Sequence, residues 1–568
     1  MYLEKIQSPK DLKKLDKENL VELASEIRKK LIKVISDNGG HLASNLGVVE
    51  LTIALHYVFD TPTDKIIFDV GHQVYTHKLL TGRQKEFDTI RQKNGLSGFP
   101  CCNESEYDTF RTGHSSTSLS LACGLARARI LKNENFEIVS VIGDGSLSGG
   151  MIFEAINDSY NINGKQIVII NDNSMSISKT VGYIPQILNR ADRYAKKGII
   201  PTTDCEYYSG IDGHDFDQLI DILTYAKNCD NNVIIHVNTI KGKGYRPAEL
   251  DPLTYHGIAN IKDVNYDNTF SKQAGNSLVE VAKTNKNIVA ITAAMSKSVG
   301  LQKFSQLYPN RVYDVGICES HGVTMSAGMT ALGIKPYFLV YSSFIQRGFD
   351  QIIHDVCIDD LPVTFLIDRA GLVCDDGPTH QGIYDLSFFN SLPNITILQP
   401  KDTVELDKMI KFSTTYMHPL VIRYPKGNTS IKYENIEQNE CIHWEYLYKI
   451  DNNRIVVSSG AKMCELANKA NSILENKDKY SIINAKSVKP LDYEMIKQFE
   501  GKNVVVLEDN IKNGGLYSSI LMYINENNIK CKIDSVAIND VMPTIGTVPE
   551  LQCECGLTAE NILKHLRN

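Results

Sequence analysis

Residues 137–146 read Glu-Ile-Val-Ser-Val-Ile-Gly-Asp-Gly-Ser, a β-branched run that ends directly at Gly143-Asp144-Gly145-Ser146. A second run, residues 166–170, ends at Asn171-Asp172-Asn173, and Asn173 lies 29 positions beyond Asp144. In parallel α/β sheets, ligands bind beyond the carboxyl ends of the strands. Both polar turns therefore occupy positions where such a sheet binds ligands.

The two turns carry residue types that suit a diphosphate and a metal ion. Glycines let the backbone approach a phosphate closely, and successive N–H groups form an anion-binding nest. Asp144 and the amide oxygen of Asn173 are hard oxygen ligands, which suit Mg²⁺ with diphosphate and water in its remaining positions. A Gly-Asp-Gly alone is more often a plain tight turn. The combination with Asn173, each motif following a strand, favours a cofactor site.

Similar short β-branched runs continue along the chain and alternate with longer amphipathic segments. Four lie between residues 65 and 237, five between 288 and 424, and three between 454 and 537. This alternation predicts βα units and mainly parallel sheets covered by helices on both faces. Polar, turn-rich stretches near 263–271 and 427–438 separate the three sets. We predict α/β modules at 1–265, 266–430 and 431–568.

The composition excludes several classes of protein. The 568 residues carry a formal charge of −7 with no basic stripe that would follow a nucleic-acid backbone. No stretch approaches the roughly 18 uncharged apolar residues of a membrane span, and the first residues lack a signal pattern. The 13 cysteines show no zinc-ligand spacing. We expect a cytoplasmic protein that binds neither nucleic acid nor membrane.

Further motifs along nearly the whole chain resemble those of thiamine diphosphate enzymes. Within them, the chain resembles the 1-deoxy-D-xylulose-5-phosphate synthase family of the transketolase superfamily. The matching stretches include His41-Leu-Ala-Ser-Asn-Leu-Gly47, Phe68-Asp-Val-Gly-His72-Gln, Thr112-Gly-His114-Ser-Ser-Thr-Ser118, Asn171-Asp-Asn-Ser-Met-Ser-Ile177, Tyr341-Ser-Ser-Phe344-Ile-Gln-Arg347, Asp376-Gly-Pro-Thr-His380-Gln and Arg423-Tyr-Pro-Lys-Gly427. The resemblance implies two domains that bind thiamine diphosphate and a C-terminal domain of transketolase type.

The resemblance also implies the residues that hold thiamine diphosphate and Mg²⁺. Glu319 matches the family's cofactor-activating glutamate, although Cys318-Glu319-Ser320-His321 departs from the usual neighbours of that acid. Phe344 resembles the aromatic residue that stacks on the aminopyrimidine ring. The metal ligands would be Asp144, Asn173 and Met175. The other positions that line the cofactor are His72, Gly113, His114, Ser115, Gly145, Ser146 and Tyr245, with Asn173 shared between metal and cofactor.

Substrate residues follow from the same resemblance. Histidines 41, 72, 114 and 380 lie in Gly- or Ser-rich segments, and the near-neutral pKa of imidazole suits proton transfer. His41 and His380 would serve the donor and acceptor steps, although which histidine performs which transfer stays open. Asp376 would hold an acceptor hydroxyl. Arg369 and Arg423 would bind the acceptor phosphate through charge-assisted pairs, and Arg347 matches another active-site arginine.

The reaction implied by the family joins a two-carbon unit from pyruvate to D-glyceraldehyde 3-phosphate. Its products are CO₂ and 1-deoxy-D-xylulose 5-phosphate. The resemblance implies that this sugar phosphate feeds non-mevalonate isoprene, thiamine and pyridoxal synthesis. The resemblance implies a homodimer with each active site between the first two modules of one chain. It assigns the third module to packing and dimer support, since none of the predicted chemistry lies there.

Two alternatives stay open at this point. Transketolase shares the plan and the cofactor, but that family carries Thr-Gly-Pro where this chain has Thr112-Gly113-His114. A catalytically silent homologue would bind the cofactor and act as a regulator, although Glu319, Asp144 and His41 are all present. One departure from the family is clear. The segment after Ile177 is shortened, and we expect residues 178–204 to form a shorter, rearranged cover over the site.

Overall fold

The computed structural model describes residues 1–162, 164–175, 180–193, 205–258, 269–374, 376–429 and 441–567. The chain forms two compact units. Unit 1 comprises Met1–Val264 with Gly316–Cys318, and unit 2 comprises Asn265–Val315 with Glu319–Asn568. The predicted module boundaries at 265 and 430 lie outside the described residues. The division into three modules therefore stays a prediction.

Unit 1 contains a five-stranded, fully parallel sheet in the order β1-β2-β3-β5-β4. Its central strands are rich in Ile and Val and are buried along most of their length, as expected for a sheet covered on both faces. The strands are β1 Lys65–Phe68, β2 Ile138–Gly143, β3 Ile167–Asp172, β4 Cys205–Asp212 and β5 Asn232–Asn238.

The longest helix of unit 1, Lys17–Asn38, shows why these segments become helical. Its buried side chains recur every three or four residues, from Leu20 to Ile35, and form one apolar face. Asp16 caps the first turn by accepting from the backbone N–H of Asn19. The α-helices of unit 1 are Pro9–Leu12, Lys17–Asn38, Leu42–Leu46, Val49–Val58, Tyr75–Leu80, Ser118–Lys132, Gly150–Ser159, Ile184–Arg193, Phe216–Asn228 and Arg246–Leu250.

Unit 2 contains two sheets. The first has seven strands in the order β15-β10-β11-β9-β8-β6-β7, and the second has five in the order β12-β14-β13-β16-β17. All neighbours are parallel except β15 beside β10 and β12 beside β14. The strands are β6 Ile288–Thr292, β7 Val312–Asp314, β8 Lys335–Tyr341, β9 Thr364–Asp368, β10 Thr396–Leu398, β11 Leu420–Arg423, β12 Glu445–Tyr448, β13 Arg454–Ser458, β14 Ser481–Asn484, β15 Ser487–Lys489, β16 Asn503–Ile511 and β17 Lys532–Ile538.

The predicted second and third modules are joined within unit 2. Strand β15 lies beyond residue 431 in the sequence but completes the seven-stranded sheet through antiparallel pairing with β10. One continuous core also runs through both parts, from Phe270 to Ile524. The α-helices of unit 2 are Phe270–Thr284, Gln302–Leu307, Glu319–Thr330, Ser342–Ile345, Phe349–Gln351, Asp385–Asn390, Thr403–Ser413, Ala461–Ser472, Tyr493–Lys497, Leu516–Glu526, Val548–Glu554 and Ala559–Arg567.

The predicted fold class is confirmed, and each of the twelve β-branched runs forms a strand. One of the five predicted runs between 288 and 424, the run at residues 311–317, is longer than its strand, because only Val312–Asp314 pairs with β6. Five further strands, β4, β10, β12, β14 and β15, were not predicted. Within the described part of the chain, no helix is both long and apolar enough to cross a membrane.

Candidate active site

Asp144 and Asn173 follow adjacent parallel strands of unit 1. Strands β2 and β3 pair with Gly143 opposite Asn171, so the two motifs lie side by side at one edge of the sheet. Asp144 is 2% exposed, and burial raises its pKa to about 7. A buried carboxylate with a raised pKa is one that a nearby cation would stabilise strongly.

Several polar groups surround the carboxylate of Asp144. The hydroxyl of Thr180 donates to its Oδ2 at 2.6 Å, and the buried ammonium of Lys241 also lowers its pKa, while the charge of Asp172 raises it. Burial lowers the pKa of Lys241 to about 8, and Asp144 opposes that shift. Among the described residues, no group of three His, Cys, Asp or Glu side chains is arranged to hold a metal. The donor set is instead one carboxylate with amide and backbone oxygens, a set that fits Mg²⁺ bound together with a diphosphate.

The turn after β3 places Asn173 and Met175 together. The backbone N–H of Met175 donates to Oδ1 of Asn173 at 3.2 Å, and the N–H of Ser174 donates to Oδ1 of Asp172 at 2.8 Å. Ser174 has a φ of 60°, in the left-handed region. The N–H of Thr180 then returns to the carbonyl of Ser174 at 3.4 Å. Two of the predicted metal ligands, Asn173 and Met175, thus lie in the turn after β3, and Thr180 is hydrogen-bonded to that turn.

The loop with Gly113, His114 and Ser115 is held between the end of β1 and the Gly-Asp-Gly turn. Asp69, which is 1% exposed, accepts from the backbone N–H groups of Ser116 and Ser118 at 2.8 and 3.0 Å. The hydroxyl of Ser116 donates to the carbonyl of Ser146 at 2.7 Å. A Cβ added at Gly149 would overlap the Ser116 hydroxyl, so a glycine is required there.

Three histidines of unit 1 form a cluster. The ring centroids of His41, His72 and His256 lie 5.3 to 5.5 Å from one another. Burial lowers the pKa of His256 well below its usual value, and the charges of Lys241, His41 and His72 lower it further. The imidazole of His256 is therefore held neutral, a form that both accepts and donates protons.

Asn45 connects the segments that carry two of these histidines. Its amide nitrogen donates to the backbone carbonyls of His41 at 2.6 Å and His72 at 2.8 Å. Its amide oxygen accepts from the backbone N–H of Tyr75 at 2.8 Å, and the side chain is fully buried. These bonds hold the backbone at His41 and at His72, and so fix the positions from which the two imidazole side chains extend.

Tyr245 lies in the loop after β5, at the end of Lys241-Gly-Lys-Gly-Tyr245. It is half-buried against the core of unit 1, and its ring contacts Tyr255 edge to face at 5.7 Å. The loop is anchored by the N–H of Gly242, which donates to the carbonyl of Ala43 at 2.8 Å. Gly242 has a φ of 85°, and an added Cβ would overlap the backbone of Ala248.

In unit 2, Glu319 begins the helix Glu319–Thr330 and is 3% exposed. Burial raises the pKa of its carboxyl, while the charge of Arg347 acts in the opposite direction. Arg347 lies half-buried in the 3₁₀ turn Gln346–Gly348. A raised pKa favours the protonated form of a carboxyl group, and that form is able to donate a hydrogen bond to a ring nitrogen.

Phe344 and His380 are brought together in unit 2. Their rings meet edge to face with centroids 5.5 Å apart, and Phe344 also stacks on Tyr341 at 5.7 Å. Nδ1 of His380 lies 2.9 Å from the hydroxyl of Thr379. Asp376 is half-buried and directly precedes the 3₁₀ turn that ends at His380. The aromatic residue and the acceptor-side residues therefore share one edge of the seven-stranded sheet.

The two arginines predicted to bind the acceptor phosphate differ in their surroundings. Arg369 follows β9 with a φ of 57°, pairs with Asp368 at 2.9 Å, and lies 4.0 Å from the centroid of the Tyr341 ring. Its side chain is 18% exposed. Arg423 at the end of β11 is 2% exposed and pairs with both Asp385 and Asp509. A phosphate would have to share or displace those partners of Arg423.

The sequence analysis assigned no role to three residues that the structure brings to the site. Lys241 lies in a motif that was noted only for Tyr245, yet its ammonium is buried near Asp144. His256 is followed by Gly257 in the sequence. A neighbouring glycine or serine was the feature that singled out the other histidines, so the same signal was present for His256. Asn45 lies inside the matched motif 41–47, but its role depends on a contact with His72, 27 positions away, that no local pattern predicts.

The chain has two α/β units. One carries the Gly-Asp-Gly turn beside Asn173, and the other carries the buried Glu319 at the start of a helix. This combination is typical of a thiamine-diphosphate-dependent transferase of the transketolase type. Family models agree with this class. The model described as 1-deoxy-D-xylulose-5-phosphate synthase matches residues 3–198. Those for the transketolase pyrimidine binding domain and the transketolase C-terminal domain match residues 268–432 and 445–562.

Curated relatives narrow the class to one family. The 1-deoxy-D-xylulose-5-phosphate synthases of Clostridium tetani and Clostridium acetobutylicum are each 42% identical to this chain, over 99% of both partners. The chain belongs to the 1-deoxy-D-xylulose-5-phosphate synthase family. Among solved structures, a transketolase from Leishmania mexicana aligns with 96% of this chain and 97% of its own, at 17% identity and a TM-score of 0.46.

The alignment with the Clostridium tetani relative also bears on length. It extends over 612 positions, whereas this chain has 568 residues. At least 44 positions, 612 less 568, are therefore gaps in this chain. This agrees with a shortened chain, although it does not locate the gap. Of the predicted cover at 178–204, only residues 180–193 fall in the described part.

Proposed function

We propose that this chain is a 1-deoxy-D-xylulose-5-phosphate synthase. It breaks the bond between C1 and C2 of pyruvate, releases CO₂, and joins the remaining two carbons to the aldehyde carbon of D-glyceraldehyde 3-phosphate. One proton is taken up to balance the reaction. Family membership over the full chain supports the assignment of the two substrates. The structural observation that supports the assignment of the cofactor is the buried carboxylate of Asp144 beside Asn173.

Asp144, Asn173 and the backbone carbonyl of Met175 would hold Mg²⁺, which in turn holds the diphosphate. The donor set fits, because Asp144 is buried and its raised pKa shows that its charge is poorly compensated. Lys241, His72, Tyr245 and the segments 113–115 and 145–146 would bind the rest of the diphosphate half. When bound, thiamine diphosphate supplies a nucleophilic carbon for the pyruvate carbonyl and stabilises the charge left by CO₂.

Glu319 would activate the cofactor by hydrogen bonding to its aminopyrimidine ring. Burial raises the pKa of Glu319, which favours the protonated carboxyl, the form that would donate this hydrogen bond. Phe344 would stack on the same ring, and its contact with His380 at 5.5 Å links the cofactor-side and acceptor-side residues.

Proton transfers would divide between the two units. In unit 1, His41 with His72 and His256 would serve the donor half of the reaction, and the lowered pKa of His256 keeps that ring neutral, so it would act through hydrogen bonds. In unit 2, His380 would return a proton to the acceptor oxygen, and Asp376 would hold an acceptor hydroxyl. Arg369, and Arg347 at the aminopyrimidine side, would bind anionic groups of the substrates.

The remaining expectations are proposals of the same kind. The protein would act as a cytoplasmic homodimer. Residues 178–204 would cover the site with a shorter element than that of longer relatives. Hydrogen exchange across 180–193, with and without cofactor plus a pyruvate analogue, tests the cover, and identical exchange in both states counts against it.

The deciding experiment incubates the protein with pyruvate, D-glyceraldehyde 3-phosphate, thiamine diphosphate and Mg²⁺, and identifies the sugar. We expect deoxyxylulose phosphate and CO₂, both abolished by a metal chelator. Sugar formation from a ketose donor without gas release would assign the chain to transketolase. Cofactor binding without turnover of either donor would instead identify a silent homologue.

A further inference from the structure

Arg423 is the centre of a buried hydrogen-bond network in unit 2. Its Nε donates to Oδ2 of Asp385 at 2.9 Å, and its Nη1 donates to Gln399 at 2.6 Å and to Oδ1 of Asp509 at 3.0 Å. Its Nη2 donates to the backbone carbonyl of Gly382 at 3.0 Å. Asp509 alone comes from the C-terminal part of the chain, on strand β16. That part therefore reaches directly into the network.

The same network holds the base of the loop that carries Asp376 and His380. The loop is closed by a backbone bridge in which the N–H of Gly371 donates to Gly382 at 2.7 Å and the N–H of Gly382 donates back at 2.9 Å. Arg423 holds this bridge through the Gly382 carbonyl. The carboxylate of Asp509 packs against Gly371, the other residue of the bridge. A Cβ added to Gly371 would overlap that carboxylate.

Further bonds extend the contact beyond the bridge. The N–H of Ile511 donates to the carbonyl of Ile383 at 3.0 Å, and the hydroxyl of Ser387 donates to the carbonyl of Asn513 at 2.6 Å. Strand β16 and the loop after it therefore support the chain segment that follows His380, as far as Ser387. A charge-assisted bond to a buried guanidinium is among the stronger of these contacts.

We propose that Asp509 is a positioning residue for the acceptor half of the reaction. Through Arg423 and Gly371 it fixes the base of the loop 371–382, and so the place of His380 against Phe344. The C-terminal domain then contributes to catalysis as well as to packing. This proposal rests on the proposed function only for the role of His380, since the mechanical role of Asp509 is independent of it.

The test compares wild type with Asp509→Asn, which keeps the shape of the side chain and removes its charge. Asp534→Asn is the matched control, because Asp534 also lies in the C-terminal part and pairs with a histidine, His565. Holoenzyme kinetics should show kcat/KM for the acceptor falling roughly 10- to 150-fold in Asp509→Asn, the range for a lost hydrogen bond to a charged group. KM for pyruvate and cofactor affinity should be unchanged, and Asp534→Asn should match wild type.

Two further measurements separate the possible explanations. Positioning of His380 predicts equal losses with phosphorylated and unphosphorylated D-glyceraldehyde, whereas a phosphate role for Arg423 predicts a loss confined to the former. Hydrogen exchange should accelerate in the described residues of 371–382 in Asp509→Asn, and this readout needs no activity. If the wild-type protein is inactive but loop exchange is faster in Asp509→Asn, the proposed function is wrong, while the role of Asp509 in holding the loop stands. Unchanged loop exchange and kinetics, or a lower melting temperature with unchanged kinetics, overturns the role of Asp509.

Discussion

The hydroxyl of Thr180 donates a hydrogen bond of 2.6 Å to Oδ2 of Asp144, so the first described residue of the predicted cover, 178–204, contacts a predicted metal ligand. Thr180 is tied to the metal-site turn by its backbone bond to Ser174. Partners of this kind orient a ligating carboxylate and tune its affinity for the metal. Residue 180 of the predicted cover is therefore connected to the predicted metal site.

Thr180→Val should weaken Mg²⁺ binding by roughly 10- to 100-fold, the usual cost of removing an outer-shell partner of a metal ligand. The measurement is isothermal titration of Mg²⁺ into protein supplied with thiamine diphosphate, which does not depend on turnover. Thr180→Ser keeps the hydroxyl and should bind like wild type. Tighter binding in Thr180→Val would mean that Thr180 competes with the metal for Asp144.

Glu319→Gln should slow deuterium exchange at thiazolium C2 of the bound cofactor by roughly 10²- to 10⁴-fold, the range for a positioned acid or base. The reason is that burial raises the pKa of Glu319, which favours the protonated carboxyl that would hydrogen-bond to the aminopyrimidine ring. Quenched-flow NMR measures the exchange rate. Glu280→Gln, at an exposed site paired with Lys283, is the control. Equal exchange rates in both variants would remove Glu319 from the activating role.

Arg369→Ala should raise KM for D-glyceraldehyde 3-phosphate by roughly 10- to 150-fold and leave KM for pyruvate near the wild-type value. Arg369 is the more exposed of the two predicted phosphate arginines, so its guanidinium has room for a ligand. Unphosphorylated D-glyceraldehyde provides the internal control, because its use should change little. A similar loss for both aldehydes would place Arg369 away from the phosphate.

Arg423→Ala should destabilise the protein by about 3–5 kcal/mol, because it leaves buried Asp385 and Asp509 without their cation. Arg454→Ala removes a half-exposed pair with Asp478 and should cost less than about 1 kcal/mol. Urea unfolding curves compare the two. If Arg423→Ala unfolds like wild type and loses only the phosphorylated acceptor, Arg423 is a phosphate ligand, as the sequence predicted.

The fold was largely predictable because its central strands are continuous apolar runs. Ile138–Gly143 and Ile167–Asp172 carry that pattern through to the polar turns at the strand ends. The unpredicted strands are either short or only partly buried. Cys205–Asp212 is only partly buried and contains Gly210, while Thr396–Leu398 and Ser487–Lys489 have three residues each. Such strands exist because neighbouring strands pair with them, and single-sequence periodicity does not reveal that pairing.

The site was predictable where a residue lies in a local motif and not where its role depends on a distant contact. Asp144 and Asn173 stand directly after apolar strands, so their positions followed from the chain. Asp509 lies 86 positions from Arg423 and Thr180 lies 36 from Asp144, and both contacts exist only in the folded chain. The assignment of the third module to packing and dimer support came from the resemblance and from the absence of predicted chemistry there, and neither reveals a contact such as that of Asp509 with Arg423.

Glu50 provides a pH-dependent test of the loop that carries Lys241 and Tyr245. Burial would raise its pKa, but hydrogen bonds from His214 and Arg28 outweigh that effect and hold the pKa at about 2. Arg28 binds both carboxylate oxygens at 2.6 Å and donates from Nε to the carbonyl of Lys243 at 3.0 Å. These bonds make Glu50 a support for residues 240–245.

A carboxyl whose pKa is lower in the folded than in the unfolded state stabilises the fold above the unfolded value, here 4.5. That contribution, on the order of 3 kcal/mol for a shift of this size, is lost as the pH falls from about 4.5 towards 2. Glu50→Gln should lower the urea midpoint at pH 7 and flatten its dependence on pH below 4.5. Amide exchange at 240–245 should also accelerate. Glu154→Gln, at an exposed helical position, should keep the wild-type slope. A Glu50→Gln profile as steep as that of wild type would show that other carboxyls produce the acid dependence.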